Sequence, residues 1–143
     1  KKRLFEISVN KSFKKVINYC AKVNRTETWI NKTIEKKFIE LHEIGFAHSI
    51  ECWDGKRLVG GLYGVSLGRV FFAESMFHRA SNASQVALVK LCEALTLWNY
   101  FIVDCQFINP HLSRMGAERI TRKEFNELIE KHTREKPSKE AWD

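Results

Sequence analysis

Three observations predict a mixed α/β (α+β) fold, an antiparallel meander followed by one parallel crossover strand and flanked by helices. Apolar residues recur with helical period near both ends of the chain. Between residues 47 and 77, three strand-like segments are separated by glycine-containing turns. A long apolar helical run at 82–99 then leads into a short strand-like segment at 101–107, and a strand reached through a helix pairs in parallel. With 44% apolar and 12% aromatic residues among 143, there is material for one sizeable core and hardly for two, so residues 1–143 are expected to form a single domain.

The first element is an amphipathic helix over 12–22. Phe13, Val16, Ile17 and Cys20 fall at i, i+3, i+4, i+7, with Lys14, Lys15 and Lys22 on the polar side. A second helix runs from about Thr33 to Glu43, capped by Asn31 or Thr33, with Ile34, Phe38 and Leu41 as its buried stripe and Gly45 closing it. Strands follow at 47–53 and 57–65, joined through Asp54-Gly55, a type I′ hairpin signal. A turn at Leu67-Gly68 opens a third strand at 69–77. Gly60, Gly61 and Gly64 inside the second strand imply a bulge or a place where a ligand approaches the backbone. The helix at 82–99 is capped by Ser81 or Asn82 and counts Val86, Val89 and Leu95 among its core positions. Thr121-Arg122-Lys123-Glu124 is a capping box that starts a last helix, with Phe125, Leu128 and Ile129 buried. The tail from 134 to 143, beyond Pro137 in particular, is expected to fray.

The net charge of +7 is concentrated at one end. Residues 1–47 hold 11 Lys and Arg against 5 Asp and Glu, residues 48–110 hold 5 against 5, and residues 111–143 hold 8 against 7. A basic surface beside a neutral, apolar centre suits a protein that holds a polyanion on one side and does its chemistry elsewhere; a merely solvated lysine-rich face is the plainer alternative. Cys20, Cys52, Cys92 and Cys105 form no C-x-x-C pair and no zinc spacing, so reduced, mostly buried thiols in a cytoplasmic protein are expected. No apolar stretch approaches the eighteen or so residues of a membrane helix, so no membrane partner is expected.

Candidate chemistry lies on two strands. Asp104 and Gln106 share one face of their strand while Cys105 points to the other, and Phe72, Glu74 and Met76 likewise alternate onto one face of theirs. Side by side, these strands bring two carboxylates and a carboxamide around one cleft suited to an amine. The alternative is that Glu74 and Asp104 pair with Arg69, Arg79 or backbone donors. Cys105 faces the wrong way to work with His48 or His111, Ser75 lacks a nucleophile elbow, and the histidines lack metal spacing.

Several motifs occur in order along the chain: Thr28-Trp29-Ile30, Leu41-His42-Glu43-x-Gly45-x-Ala47-His48-Ser49-x-Glu51-x-Trp53, Leu58-Val59-Gly60-Gly61-Leu62-Tyr63-Gly64-Val65, Glu74-Ser75-Met76-Phe77, Asn82-Ala83-Ser84, Asp104-Cys105-Gln106, Pro110-His111-Leu112 and Met115-Gly116-Ala117. This series resembles the bacterial leucyl/phenylalanyl-tRNA–protein transferases, densely over 28–117 and loosely beyond. The element order also resembles the acyltransferase fold of the N-acetyltransferase superfamily. The family resemblance implies an N-acetyltransferase-like catalytic domain with neither metal nor organic cofactor. It implies transfer of Leu or Phe from Leu-tRNA or Phe-tRNA to acceptor proteins beginning with Lys or Arg, which marks them for degradation.

On matching positions, the resemblance implies that Asp104 and Gln106 orient and help deprotonate the attacking α-amine, while Glu74 holds the aminoacyl ester or its adenosine. It further implies that Trp29 stacks on the terminal adenine, and that Leu62, Met76 and Leu91 line the pocket for the transferred side chain; ordinary core packing is the alternative for those three. Phosphate contacts to tRNA fall to Lys11, Lys14, Lys15, Lys22, Lys36 and Lys37, and a monomer is expected. The family's N-terminal lobe has no counterpart in these residues, Ala73 stands where the family usually has Gly, and Gln85 where it usually has Lys. Two rival functions remain. A coenzyme-A-dependent N-acetyltransferase would want a glycine-rich turn where Arg79-Ala80-Ser81-Asn82-Ala83 stands, and a non-catalytic RNA-binding module would need no catalytic acids.

Overall fold

A computed structural model of the protein describes residues 5–22, 30–105, 118 and 120–143. The elements are β1 Glu6–Val9, α1 Phe13–Lys22, α2 Lys32–Glu43, β2 Ala47–Asp54, β3 Arg57–Leu67, β4 Val70–His78, α3 Ala83–Leu97, β5 Ile102–Asp104 and α4 Arg122–His132. The five strands form one sheet in the order β1-β2-β3-β4-β5. The first four are successively antiparallel, and β5 joins β4 in parallel after the α3 crossover.

Two apolar cores sandwich the sheet. On one face α1 inserts Phe13, Val16, Ile17 and Cys20 against Tyr63, Ala47 and Phe77, and Ile34, Phe38 and Leu41 of α2 cover that cluster without being fully buried. On the other face α3 packs Ala87, Leu88, Leu91 and Leu95 against Ile50, Leu62, Phe71 and Ala73. Val89, predicted as a core position, is 44% exposed, because the apolar side chains of α3 surround the helix and only one stripe meets the sheet.

The predicted caps divide. Asn31 caps α2 through its Oδ1, which accepts from the Ile34 N–H at 2.9 Å, and Thr121 with Glu124 completes the capping box of α4. Asn82 occupies the cap position of α3 in left-handed backbone (φ 68°) but makes no side-chain cap bond. The β2–β3 turn consists of Gly55 and Lys56, since Asp54 still pairs with Arg57. Only Gly55 has positive φ (63°), so it is not the type I′ turn predicted.

Gly60 and Gly64 serve chain packing. A Cβ on Gly60 would lie 2.6 Å from the Ala83 Cβ at the start of α3, and one on Gly64 would lie 2.6 Å from the Phe71 ring and collide with the Phe72 carbonyl. The expected bulge is present: between Tyr63 and Gly64 the register slips, so that Tyr63 pairs with Ser75 and Gly64 with Ala73.

Strand β1 was not foreseen from the sequence, being only four residues long with no continuous apolar run. The tail also departs from expectation. Instead of fraying, Trp142 stacks on His48 with ring centroids 4.3 Å apart and packs on Trp98 and Phe71, and its indole N–H donates to the Tyr100 hydroxyl at 2.9 Å. A single half-buried tryptophan with aromatic neighbours on several sides outweighs the polar composition around it.

Candidate active site

Strands β4 and β5 bring the two predicted acids together. Asp104 is the register partner of Phe72, and Val103 that of Phe71. Phe71 and Val103 belong to the α3-side core, so Phe72 and Asp104 point to the opposite face, the side covered by α1 and α2. Cys105 packs with Val103 on the α3 side, as alternation predicted, and burial raises its thiol pKa, in keeping with an inert thiol.

Glu74 is the extra residue of the β4 bulge, with no register partner on β3. It is half-buried, and its pKa is raised first by burial and then by the charge of Asp104. The two carboxyl groups therefore share one electrostatic environment. The bulge also corrects one expectation. Phe72 and Met76 do not share a face, because the inserted residue shifts the alternation and carries Met76 to the α3 side, opposite Leu62.

Leu62, Met76 and Leu91 do come together, in the α3-side cluster. Leu62 and Leu91 are fully buried there and Met76 is partly exposed. The lysines at 11, 14, 15, 22, 36 and 37 are all exposed, on or beside α1 and α2, and so lie on the side of the sheet toward which Asp104 points. Trp29 and Gln106 lie outside the described residues. Among the described residues, no three or more His, Cys, Asp or Glu gather as metal ligands would, and no helix is long and apolar enough to cross a membrane.

A third carboxyl group, not singled out as a site from the sequence, is wholly buried. Glu51 on β2 accepts from the Ser8 hydroxyl at 2.6 Å, the Lys11 backbone N–H at 3.1 Å and the Ser49 hydroxyl. Its signal was a glutamate in mid-strand between Ile50 and Cys52, where burial is costly unless donors converge on the carboxylate.

The family model described as leucyl/phenylalanyl-tRNA protein transferase matches residues 1–130. The chain belongs to this family. A leucyl/phenylalanyl-tRNA–protein transferase of Legionella pneumophila (strain Lens) is 45% identical over 143 residues, which span 99% of this chain and 64% of that relative. One from Phenylobacterium zucineum is 50% identical over 129 residues, covering 89% of this chain and 58% of its own length. The chain thus spans about three-fifths of the length of the relatives it matches.

Among solved structures, the sheet and helices resemble a ribosomal-protein-alanine N-acetyltransferase from Brucella melitensis, with TM-score 0.59 and 10% identity over 83% of this chain and 94% of that one. An aminoglycoside acetyltransferase in complex with a bisubstrate analogue gives TM-score 0.59 and 13% identity over 84% of this chain and 95% of the other. The transferase family member therefore has an N-acetyltransferase-like fold.

Proposed function

We propose that this chain carries the catalytic domain of an aminoacyl-tRNA–protein transferase, which moves Leu or Phe from charged tRNA to the α-amine of acceptor proteins beginning with Lys or Arg and so marks them for degradation in the cytoplasm. The observation that carries this reading is the nearness of Glu74 and Asp104 on neighbouring strands of a family member, with Asp104 beside Phe72 on the β4–β5 ladder and close enough to raise the pKa of Glu74. The aminoacyl ester is already activated, so the reaction needs no covalent enzyme intermediate. The amine nitrogen attacks the ester carbonyl, a C–N bond forms, the C–O bond to the ribose breaks, and the proton given up by the nitrogen ends on the released ribose hydroxyl.

An α-amine has a pKa of about 7.7–8, so a useful fraction is neutral near pH 7 and modest assistance suffices. Asp104, with Gln106, orients the amine and helps take its proton. Glu74 lies close enough for Asp104 to raise its pKa, and it holds the ester or its adenosine in register. Positioning contributes more than base strength. Leu62, Met76 and Leu91 supply the apolar surroundings of the transferred side chain, Trp29 stacks on the adenine, and the lysines of α1 and α2 hold phosphates.

The acetyltransferase reading draws no support from the start of α3. Ala83 and Ser84 are buried there, and no glycine-rich turn leaves backbone N–H groups open to a pyrophosphate. The decisive experiment supplies labelled Leu-tRNA and an Arg-initiated peptide to this chain and to a longer protein of the same family that contains it. Label on the peptide is expected, with loss in Asp104→Ala and Glu74→Ala. No transfer by either protein refutes the proposal.

A further inference from the structure

Strand β5 is three residues long, and Asp104 is its last residue. Among the described residues its parallel ladder with β4 comprises three register pairs, from Val70–Ile102 to Phe72–Asp104. Parallel pairs contribute slightly less per residue than antiparallel ones, so a ladder this short fixes Asp104 well only if the chain leading into it is also held. That lead is residues 98–101. Its partners are Arg69, in the β3–β4 turn, and the chain from the end of α4 onward.

Arg69 meets the lead with both backbone and side chain. Its carbonyl accepts the Phe101 N–H at 2.8 Å and the Ile102 N–H at 3.4 Å, which sets where β5 begins. Its guanidinium donates through Nε to the Asn99 carbonyl at 2.7 Å and through Nη2 to Asn99 Oδ1 at 3.4 Å. Asn99 has left-handed backbone (φ 66°), so this fork holds the residue at which the chain turns out of α3. Ile102 opposes Val70, the neighbour of Arg69, and Asp104 lies two residues further on, about 7 Å at about 3.3 Å per residue.

The third guanidinium nitrogen, Nη1, donates to Glu135 at 2.9 Å. Glu135 also accepts from Nδ1 of buried His132 at 2.5 Å. The His132 ring stacks on Phe101 with centroids 3.7 Å apart, and the His132 carbonyl accepts the Arg69 N–H at 2.9 Å. The Glu135 pKa lies below its ordinary value, first because His132 donates to it and also because Arg69 does, against an opposing effect of burial. Further along, the Ser138 N–H donates to the Trp98 carbonyl at 2.9 Å and the Trp142 indole to the Tyr100 hydroxyl at 2.9 Å. Trp98, Asn99, Tyr100 and Phe101 are thus each held by Arg69 or by the segment 132–142.

We propose that Arg69 is a positioning residue for aminoacyl transfer: with Glu135 and His132 it fixes the start of β5 and so keeps Asp104 beside Glu74. The inference rests on the transferase reading for what Asp104 does there. All three guanidinium nitrogens are engaged by Asn99 and Glu135, so Arg69 acts through the turn and the β5 backbone.

The test reads Glu74 before it reads any product. Side-chain carbon NMR of the 143-residue protein gives the titration midpoint of Glu74, which the charge of Asp104 helps to raise. Arg69→Ala is expected to move that midpoint down, toward the ordinary carboxylate value, and to have no effect in an Asp104→Asn background, where there is no charge to displace. Arg69→Lys, a point donor in place of a fork, should recover part of the shift. Gly55→Ala strains the turn at the other end of β3 and is expected to leave the midpoint where it is. In the longer family protein, Arg69→Ala is expected to lower kcat about 10–10²-fold, as a displacement of about 1 Å would, with KM for charged tRNA changed less than about twofold. Should Arg69→Ala fail to fold, Glu135→Ala removes the carboxylate alone, and a smaller shift of the same sign is expected. An unmoved midpoint in a folded variant, equal shifts in both backgrounds, or the same shift in Gly55→Ala overturns the proposal. The midpoint is read without substrate. Transfer with an unmoved midpoint therefore refutes the positioning role alone, and a moved midpoint in a protein whose unaltered longer form transfers nothing refutes the catalytic reading alone.

Discussion

Between pH 6.5 and 5 the fold is expected to lose about 2 kcal/mol of stability through one side chain, His48. The amide of Asn10 is oriented by the Ser49 N–H, which donates to Oδ1 at 2.9 Å, so it is the Asn10 NH₂ that faces His48 Nδ1 at 2.9 Å. Nδ1 must then accept, and a proton there would set two donors against each other. The ring is also buried against Trp142, and His42 lies close enough to oppose a second positive charge. Burial first, then His42, lowers the pKa of His48 from 6.5 to about 4, against a smaller opposing effect of a Gly45 backbone hydrogen bond.

The sign follows from proton counting. Between those values the unfolded chain binds a proton that the folded chain refuses, so stability rises with pH across the window and falls on acidification. Each pH unit inside it is worth about 1.4 kcal/mol, which gives about 2 kcal/mol from pH 6.5 to 5, before most carboxylates titrate. Urea unfolding followed by tryptophan fluorescence at pH 7, 6 and 5 measures the loss, and the His48→Gln variant, lacking the titrating ring, should show a flatter dependence. An NMR midpoint for His48 near 6.5, or parallel pH dependences for the two proteins, would refute the reasoning.

Trp142→Ala should cost about 3 kcal/mol, read by thermal or urea unfolding, and should expose residues 134–143 to proteases; an unchanged midpoint would mean that the tail contributes nothing. Gly64→Ala should abolish soluble folded protein or lower stability by more than about 3 kcal/mol, since its Cβ meets backbone. Gly55→Ala, with open space but positive φ, should cost only about 1–2 kcal/mol, so equal effects in urea unfolding would count against the packing argument. In the transfer assay, Asp104→Asn should reduce kcat/KM by about 10²–10⁴ and move the acidic limb of its pH profile to lower pH, because Glu74 loses the neighbouring charge that raises its pKa; an unmoved limb would show that the two acids act separately.

The strand meander, the crossover and four amphipathic or apolar helices were legible in the sequence because each carries a clean period or a turn residue with one steric use. Gly68, at φ 59° in the β3–β4 turn, shows the limit of that reading. A Cβ there would lie 2.5 Å from the His132 carbonyl, so the turn is held against the end of α4, a contact no local signal announces. Strand β1 escaped for a related reason: its four residues gain their order by pairing with β2, through Glu6–Trp53 to Val9–Ile50, and by donating Ser8 to Glu51. The tail was misread because composition records average polarity, whereas one tryptophan in a slot between His48, Phe71 and Trp98 decides the outcome. The acids at 74 and 104 were legible as neighbours, but the bulge between them was signalled only by the glycines of the partner strand.

That bulge gives the site its geometry. A regular β4 would place Phe72, Glu74 and Met76 on one side of the sheet, leaving the acids and the apolar pocket residues to compete for the same face. With Glu74 inserted, Met76 joins Leu62 and Leu91 on the α3 side, while Asp104 keeps to the side of the basic helices. Among the described residues the β4–β5 ladder pairs only Val70 to Phe72 with Ile102 to Asp104, and β4 runs on to His78. On the proposed reading, an aminoacyl ester entering beside the far end of β4 sends its apolar side chain toward α3 and its nucleotide toward the lysines, with Glu74 at the crossing. Deleting Glu74 would give a regular ladder with Ser75 still opposite Tyr63 and Ala73 opposite Gly64, so Met76 would keep to the α3 side while the carboxyl is lost; transfer is expected to fall to background in a protein that still folds, and retained transfer would refute the role of Glu74.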